Sequence, residues 1–197
     1  MSDRRQFNSR LLSYLSIPGL AALSATASLS ACAAQDPQAL DQLWTKLKGV
    51  PVGPAASKQR LVVFFDTRCG YCTKLWHELS PTQDKLLVLW TPVAILSPSS
   101  RVQALDLLSS EQPQEWLRAH MNAARGAQSN APRSTAPDAT TIAAAEQALS
   151  SNLALMESLP NSRRSVPQSA GIKDKTLHVM RGAVPVDRLQ NEFDIKL

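Results

Sequence analysis

Two cysteines, Cys69 and Cys72, stand three positions apart with Gly70 and Tyr71 between them, in the stretch "LVVFFDTRCGYCTKLWHEL". A thiol pair at this spacing can clip a metal, staple a loop or exchange disulfides. A zinc site takes about four ligands, or three and a water. The chain offers only three histidines besides: His77 lies five residues past Cys72, and His120 and His178 are far beyond. None of these spacings forms a metal signature, and Thr73 in place of His after Cys72 removes haem attachment. A staple across two intervening residues closes so small a loop that it removes little disorder from the unfolded chain. A reactive dithiol accounts for the neighbourhood as well as for the pair.

That neighbourhood supplies the elements that must position the sulfurs. Leu61 to Phe65 is an unbroken apolar, β-branched and aromatic run, which predicts a strand buried on both faces. After Asp66 and Thr67 the pattern turns helical, with Tyr71, Leu75 and Leu79 four residues apart until Pro81 stops it. Cys69 is therefore expected at or just before a helix N-terminus, where unpaired backbone N–H groups and the positive end of the dipole favour a thiolate. Arg68 adds a neighbouring positive charge. Both effects are expected to depress the Cys69 pKa and make it the attacking sulfur, with Cys72 one turn into the helix as the resolving one. Asp66 and Thr67 read as helix caps ahead of proton-transfer groups. Trp76 reads as an apolar contact and His77 as solvent-facing.

The compartment matters for such a pair. "MSDRRQFNSRLLSYLSIPGLAALSATASLSAC" has a basic start, a Ser/Ala/Leu stretch interrupted by Ser13, Ser16 and Pro18, and small residues before Cys32. That is the layout of an export signal over residues 1–31 rather than of a membrane-spanning helix. "RRQF" resembles the twin-arginine export motif. "LSAC" resembles a bacterial lipobox, which implies lipidation of Cys32; the plainer reading is an incidental thiol in a leader. Ala33 after that cysteine implies the outer membrane. Without Cys32, two thiols remain in a compartment where disulfides form and persist.

Charge excludes one class of function. The formal net charge is +5, of which Arg4, Arg5 and Arg10 against Asp3 leave with a cleaved leader. The small remainder, with no Lys/Arg block and no aromatic-basic stripe, does not support nucleic-acid binding. A chain of 197 residues, 44% of them hydrophobic, suffices for one packed domain.

The rest of the chain predicts a scaffold. Asp36-Pro37 with Leu40, Leu43, Trp44 and Leu47, ended by Gly49, reads as a capped amphipathic helix. "VPVGPAASKQR" reads as a linker, so residues 33–58 form an N-terminal helix and linker. Lys85 to Leu96 reads as one long strand, kinked or bulged near Pro92. Helices are expected over Arg101–Leu108 and Pro113–Ala124, then a small-residue, proline-bearing and mobile loop over Arg125–Asp138. A helical stretch from Ala139 to about Leu159 is expected to break near Ser150-Ser151-Asn152. A short strand, a turn at Lys173-Asp174-Lys175, a strand over Thr176–Met180 and a helix from Val186 complete an α/β layer fold.

"FFDTRCGYCTKLWHEL" resembles the active-site segment of the thioredoxin superfamily, and most closely that of bacterial periplasmic thiol:disulfide interchange proteins of the DsbC/DsbG type. The similarity continues through the strand ending at Leu96, the helical insertion, Val166-Pro167 and "KDKTLHVMRGAVP". It implies a thioredoxin-like fold over residues 59–197 with helices inserted at about 98–160. It also implies Cys69 as nucleophile, Cys72 as its partner, and Pro167 as the cis-proline facing them, with Arg68, Gly70, Tyr71 and Val166 as supporting residues. No organic cofactor or metal is implied, only the redox-active Cys69–Cys72 pair. Expected partners are exported proteins with exposed cysteines and a membrane redox protein, with contact to the membrane only through Cys32.

The chain departs from the DsbC/DsbG pattern in three respects. About 25 residues separate Cys32 from the first strand, which leaves no room for the N-terminal dimerisation domain of the DsbC/DsbG type and implies a monomer. Val166 replaces the usual threonine, as in DsbA-type oxidases, and "QSAGI" is a weak, polar strand. Two other readings remain. One is a non-catalytic envelope lipoprotein using the same fold as a partner-binding module. The other is a copper-handling chaperone with His178 and Met180 as late ligands.

Overall fold

The computed structural model describes residues 38–123 and 137–197. The expected export signal, Cys32, Asp36 and the small-residue loop up to residue 136 lie outside the described residues. Five strands form one sheet: β1 (Val50–Val52), β2 (Gln59–Phe65), β3 (Leu86–Pro92), β4 (Gln168–Lys173) and β5 (Thr176–Arg181), in the order β1-β3-β2-β4-β5. β2 and β3 run parallel and every other pair is antiparallel.

The apolar run in β2 is explained by its central place. Leu61 through Phe65 are all 0% exposed, and period-two alternation divides them between two cores. Leu61, Val63 and Phe65 face a cluster with α2 (Gly70–Leu79), α4 (Pro113–Asn122) and α6 (Val186–Glu192). Val62 and Phe64 face another with α1 (Ala39–Lys46) and α5 (Ala139–Ser158). Each fully buried side chain of this size contributes on the order of 2 kcal/mol. Phe65 also meets Trp90 edge-on at 5.8 Å. Among the described residues, no helix is long and apolar enough to cross a membrane.

Four elements differ from the sequence expectations, each for a local reason. Part of the expected linker is the edge strand β1, where Val50 and Val52 are buried and Pro51 points outward. An edge tolerates a proline because one side of the strand has no ladder to complete. Just after it, Gly53 has φ +118°, and a Cβ there would fall 2.1 Å from the Leu86 carbonyl oxygen. β3 stops at Pro92 instead of running to Leu96, because the amides of Ile95 and Leu96 bond to a side chain outside the sheet, described below. The Val93 amide between them donates to the Phe65 carbonyl.

α5 is unbroken through Ser150-Ser151-Asn152. Asn152 is fully buried and acts as a clamp: its Nδ2 donates to the carbonyls of Lys48 and Pro92, and its Oδ1 accepts from the Lys48 amide. Its polarity serves long-range bonds and not a helix end. β4, which looked weak from its composition, lies between β2 and β5 with Gln168 to Ala170 buried. Its Gly171 makes room for the Phe193 ring, which lies 2.7 Å from where a Cβ would sit.

Candidate active site

The chain leaves the sheet at Phe65, crosses Asp66, Thr67 and Arg68, and enters α2 at Gly70. Cys69 is the N-cap of that helix, with extended backbone at φ −90° and ψ 107°. Its carbonyl accepts from the amides of Cys72 and Thr73, while its sulfur accepts from the Cys72 amide at 3.2 Å. The sulfur thus occupies the position of a capping oxygen, facing the unpaired donors of the first helical turn.

The two sulfurs stand as free thiols in unequal surroundings. Cys69 is brought down from 9.0 to about 7, mostly by the hydrogen bond from the Cys72 thiol and then by the amides of Cys72 and Tyr71. Burial and the negative charge of Asp66 oppose this and lose. Cys72 is fully buried, and that burial pushes its thiol well up, assisted by Cys69's bond and charge. At neutral pH Cys69 is therefore about half thiolate, while Cys72 behind it stays a protonated thiol. The α2 stripe that reaches the core is Cys72, Leu75, Trp76 and Leu79; Tyr71 points outward, 69% exposed beside the dithiol. Trp76 is buried, its Nε1 donating to Asn122, and His77 is exposed.

Asp66 and Thr67 do not cap α2, as Cys69 does so itself. The Asp66 side chain is 1% exposed, and its two oxygens accept from the amides of Arg68 at 2.8 Å, Ile95 at 2.9 Å and Leu96 at 3.0 Å. It ties the turn that carries Cys69 to the segment leaving β3. Thr67 donates from Oγ1 to the Ser100 carbonyl of α3 (Pro98–Leu108), and its own carbonyl meets Nε2 of His120 at 2.8 Å. Arg68 is exposed, and its charge acts on His120, which it helps to hold below its ordinary pKa after the larger effect of burial. The His120 ring stacks on Trp116 at 4.8 Å.

Across from the sulfurs, the Val166–Pro167 peptide bond is cis, and the Val166 carbonyl oxygen lies 3.6 Å from Cys69 Sγ as acceptor. Cys69, Cys72, Val166 and Pro167, separated by almost a hundred residues, are thus brought together, with Gly70 and Tyr71 beside them and Arg68 on the rim. His178 lies elsewhere, 3.4 Å from Glu192, and Met180 packs against the core. Among the described residues, no three His, Cys, Asp or Glu side chains converge as metal ligands.

Three supporting residues were not singled out for these roles by the sequence: the anchor Asp66, the latch His120, and Gln168, which braces the segment before Pro167. For Asp66 a signal existed, since an acidic residue directly after a buried strand needs several donors, but the donors' location was not legible.

No family model matches this chain. Among curated proteins it is similar to the thiol:disulfide interchange protein DsbG of Pseudomonas aeruginosa, 28% identical over 123 residues, which are 60% of this chain and 46% of that protein. It is also similar to a probable thiol:disulfide interchange protein DsbC of Bordetella avium, 39% identical over 64 residues, 32% of this chain and 23% of that one. The chain spans less than half the length of either relative. Among solved structures, a periplasmic thioredoxin-like protein from Salmonella enterica serovar Typhimurium superposes with a TM-score of 0.60 at 20% identity, covering 78% of this chain and 95% of that one. The catalytic domain of Proteus mirabilis ScsC superposes at 0.56 and 21% identity, covering 81% and 97%. The fold is thioredoxin-like.

Proposed function

We propose that this thioredoxin-like chain, related to DsbG and DsbC proteins, is a thiol:disulfide oxidoreductase acting on cysteines of exported proteins. The observation that carries this reading is the split between its sulfurs: a thiolate-favouring Cys69 at the N-terminus of α2 and a buried, protonated Cys72 behind it. The Cys69 thiolate attacks a substrate disulfide, forming a mixed disulfide and releasing the other substrate sulfur as thiolate. Cys72 then displaces the substrate, closing the Cys69–Cys72 disulfide, and its proton leaves with the substrate thiol. Two electrons pass from protein to substrate. Run backwards, the same steps donate a disulfide.

The Cys72 thiol, and after it the amides of Cys72 and Tyr71, stabilise the Cys69 thiolate, but only to a pKa of about 7. That is the thioredoxin range rather than the far lower range of strong disulfide donors. We take reduction or isomerisation of substrate disulfides as the working direction, which the redox midpoint decides. Equilibration with a glutathione series, reading the two cysteines by alkylation, is expected to give a midpoint of about −200 to −270 mV. A value near about −120 mV would reverse the direction. A pair that never equilibrates would sink the oxidoreductase reading and leave a partner-binding module.

We place the protein in the periplasm, lipid-anchored at Cys32 to the outer membrane, on the strength of the "LSAC" sequence and Ala33. Labelled palmitate is expected to enter the parent protein in a bacterial host and to be absent from Cys32→Ala. Label persisting in the variant would remove the anchor.

A further inference from the structure

The segment leading into the cis-proline is held by the residue that follows it. Gln168 is 0% exposed, and its side-chain amide makes four hydrogen bonds, the number it can make. Nε2 donates to the carbonyls of Arg163 at 2.5 Å and Ser165 at 2.8 Å. Oε1 accepts from Ser162 Oγ at 3.1 Å and from the Arg163 amide at 3.4 Å. Backbone fixed inward in this way leaves the side chains of Arg163, Arg164 and Ser165 exposed, immediately before the Val166 carbonyl that touches the Cys69 sulfur.

Two more exposed arginines stand on the neighbouring elements, one next to Cys69 in the chain and one paired with Gln168 across the sheet. Arg68 is exposed in the residue before Cys69. Arg181 ends β5 in register with Gln168, exposed, and donates from Nη1 to the Asn161 carbonyl at the foot of the loop. Among the described residues, no ion pair engages Arg68 or Arg163. Arg164 meets Glu157 only at 3.7 Å, with both side chains largely in solvent, a pairing that leaves most of its charge available. Asp66, whose charge acts on Cys69, is buried and turned to backbone amides. All four cations are arginines, whose planar fork matches a carboxylate in two-point contact.

We propose that this arginine collar selects protein substrates whose reacting cysteine is flanked by Asp or Glu. The proposal rests on the thiol:disulfide reading above. Opposite charge at the rim raises the encounter rate and fixes the substrate's approach, while the chemical step stays with the sulfurs.

The test uses three synthetic peptides with one cysteine each, flanked by Glu, Gln or Lys, the cysteine carried as a mixed disulfide with thionitrobenzoate. Cys69 attacks the peptide sulfur, the Cys69–peptide bond forms, and thionitrobenzoate leaves with the electron pair. Cys72 then releases the peptide as a thiol. Thionitrobenzoate release by the reduced protein is expected to be fastest with the Glu peptide, about three- to tenfold ahead of the Lys peptide at low salt, and the gap should shrink as salt is added. In Arg163→Gln/Arg164→Gln the gap narrows, and in Arg163→Glu/Arg164→Glu it inverts, each variant first shown to melt as the parent does. Equal rates for all three peptides, or a Lys peptide in front, would overturn the collar while leaving the dithiol chemistry standing. No release from any peptide would overturn the dithiol reading itself, and the collar with it.

Discussion

Cys69→Ser is expected to abolish reaction with a disulfide substrate, by on the order of a thousandfold or more, because a serine hydroxyl is not ionised where a thiolate is. Cys72→Ser should instead accumulate a mixed disulfide on Cys69, visible as a mass increase that a reductant reverses. Retained turnover in Cys69→Ser would refute the assignment of roles. The same sulfur sets a pH profile. Alkylation of Cys69 by iodoacetamide requires the thiolate, so its rate should rise with pH to a plateau with a midpoint at about 7. Below the midpoint it falls about tenfold per pH unit. Cys72→Ala removes the thiol donor that does most to bring Cys69 down, so its midpoint should move up towards 9.0. Cys72→Ser keeps a hydroxyl donor and should move less. An unchanged midpoint in Cys72→Ala would mean that the helix amides alone set the value.

Asp66→Ala should produce a large loss of stability. Three amides, those of Arg68, Ile95 and Leu96, lose their acceptor at once. Each unsatisfied donor costs about 1–3 kcal/mol, so roughly 3–5 kcal/mol is expected after partial rescue by water. That is a large share of the roughly 5–15 kcal/mol available to a domain, and it should appear as a Tm lower by about 10 °C. Asp66→Asn keeps one acceptor oxygen and should fall between. The second consequence separates anchoring from electrostatics. The charge on Asp66 raises both thiols, so Asp66→Asn should titrate Cys69 below about 7 even as the protein becomes less stable. Thiolate absorbance against pH measures this, and a Cys69 that titrates higher in the variant would show the turn's loss of geometry to outweigh the lost charge.

The local chemistry of this site was legible in one dimension. A continuous apolar run, a switch to helical spacing and two cysteines at that boundary suffice to place a sulfur at a helix N-terminus, because strand burial and helix polarity are properties of a few consecutive residues. The same holds for α4, α6 and the hairpin of β4 and β5, whose turn falls at the expected residues. The expectations that failed involve residues whose partners lie far along the chain. Asn152 looked like a helix break because its bonds to Lys48 and Pro92 span 104 and 60 residues. "VPV" looked like linker because only pairing with Val88 to Trp90 makes it a strand. Asp66 looked like a cap because two of the three amides it serves are 29 and 30 residues away.

What tertiary structure alone decided is the electrostatic outcome. Sequence adjacency suggested Arg68 as the charge that lowers Cys69, but the guanidinium is in solvent and acts on His120. The sulfur is governed by the donors it touches and by a buried acid behind it. The sequence by itself determined which atoms could react and on which element they sit. Only the fold set how acidic each sulfur is, which carbonyl faces it and which charges surround it. A pKa, a contact and a charged rim depend on distance and burial in space, and those arise when segments a hundred residues apart pack around one sulfur.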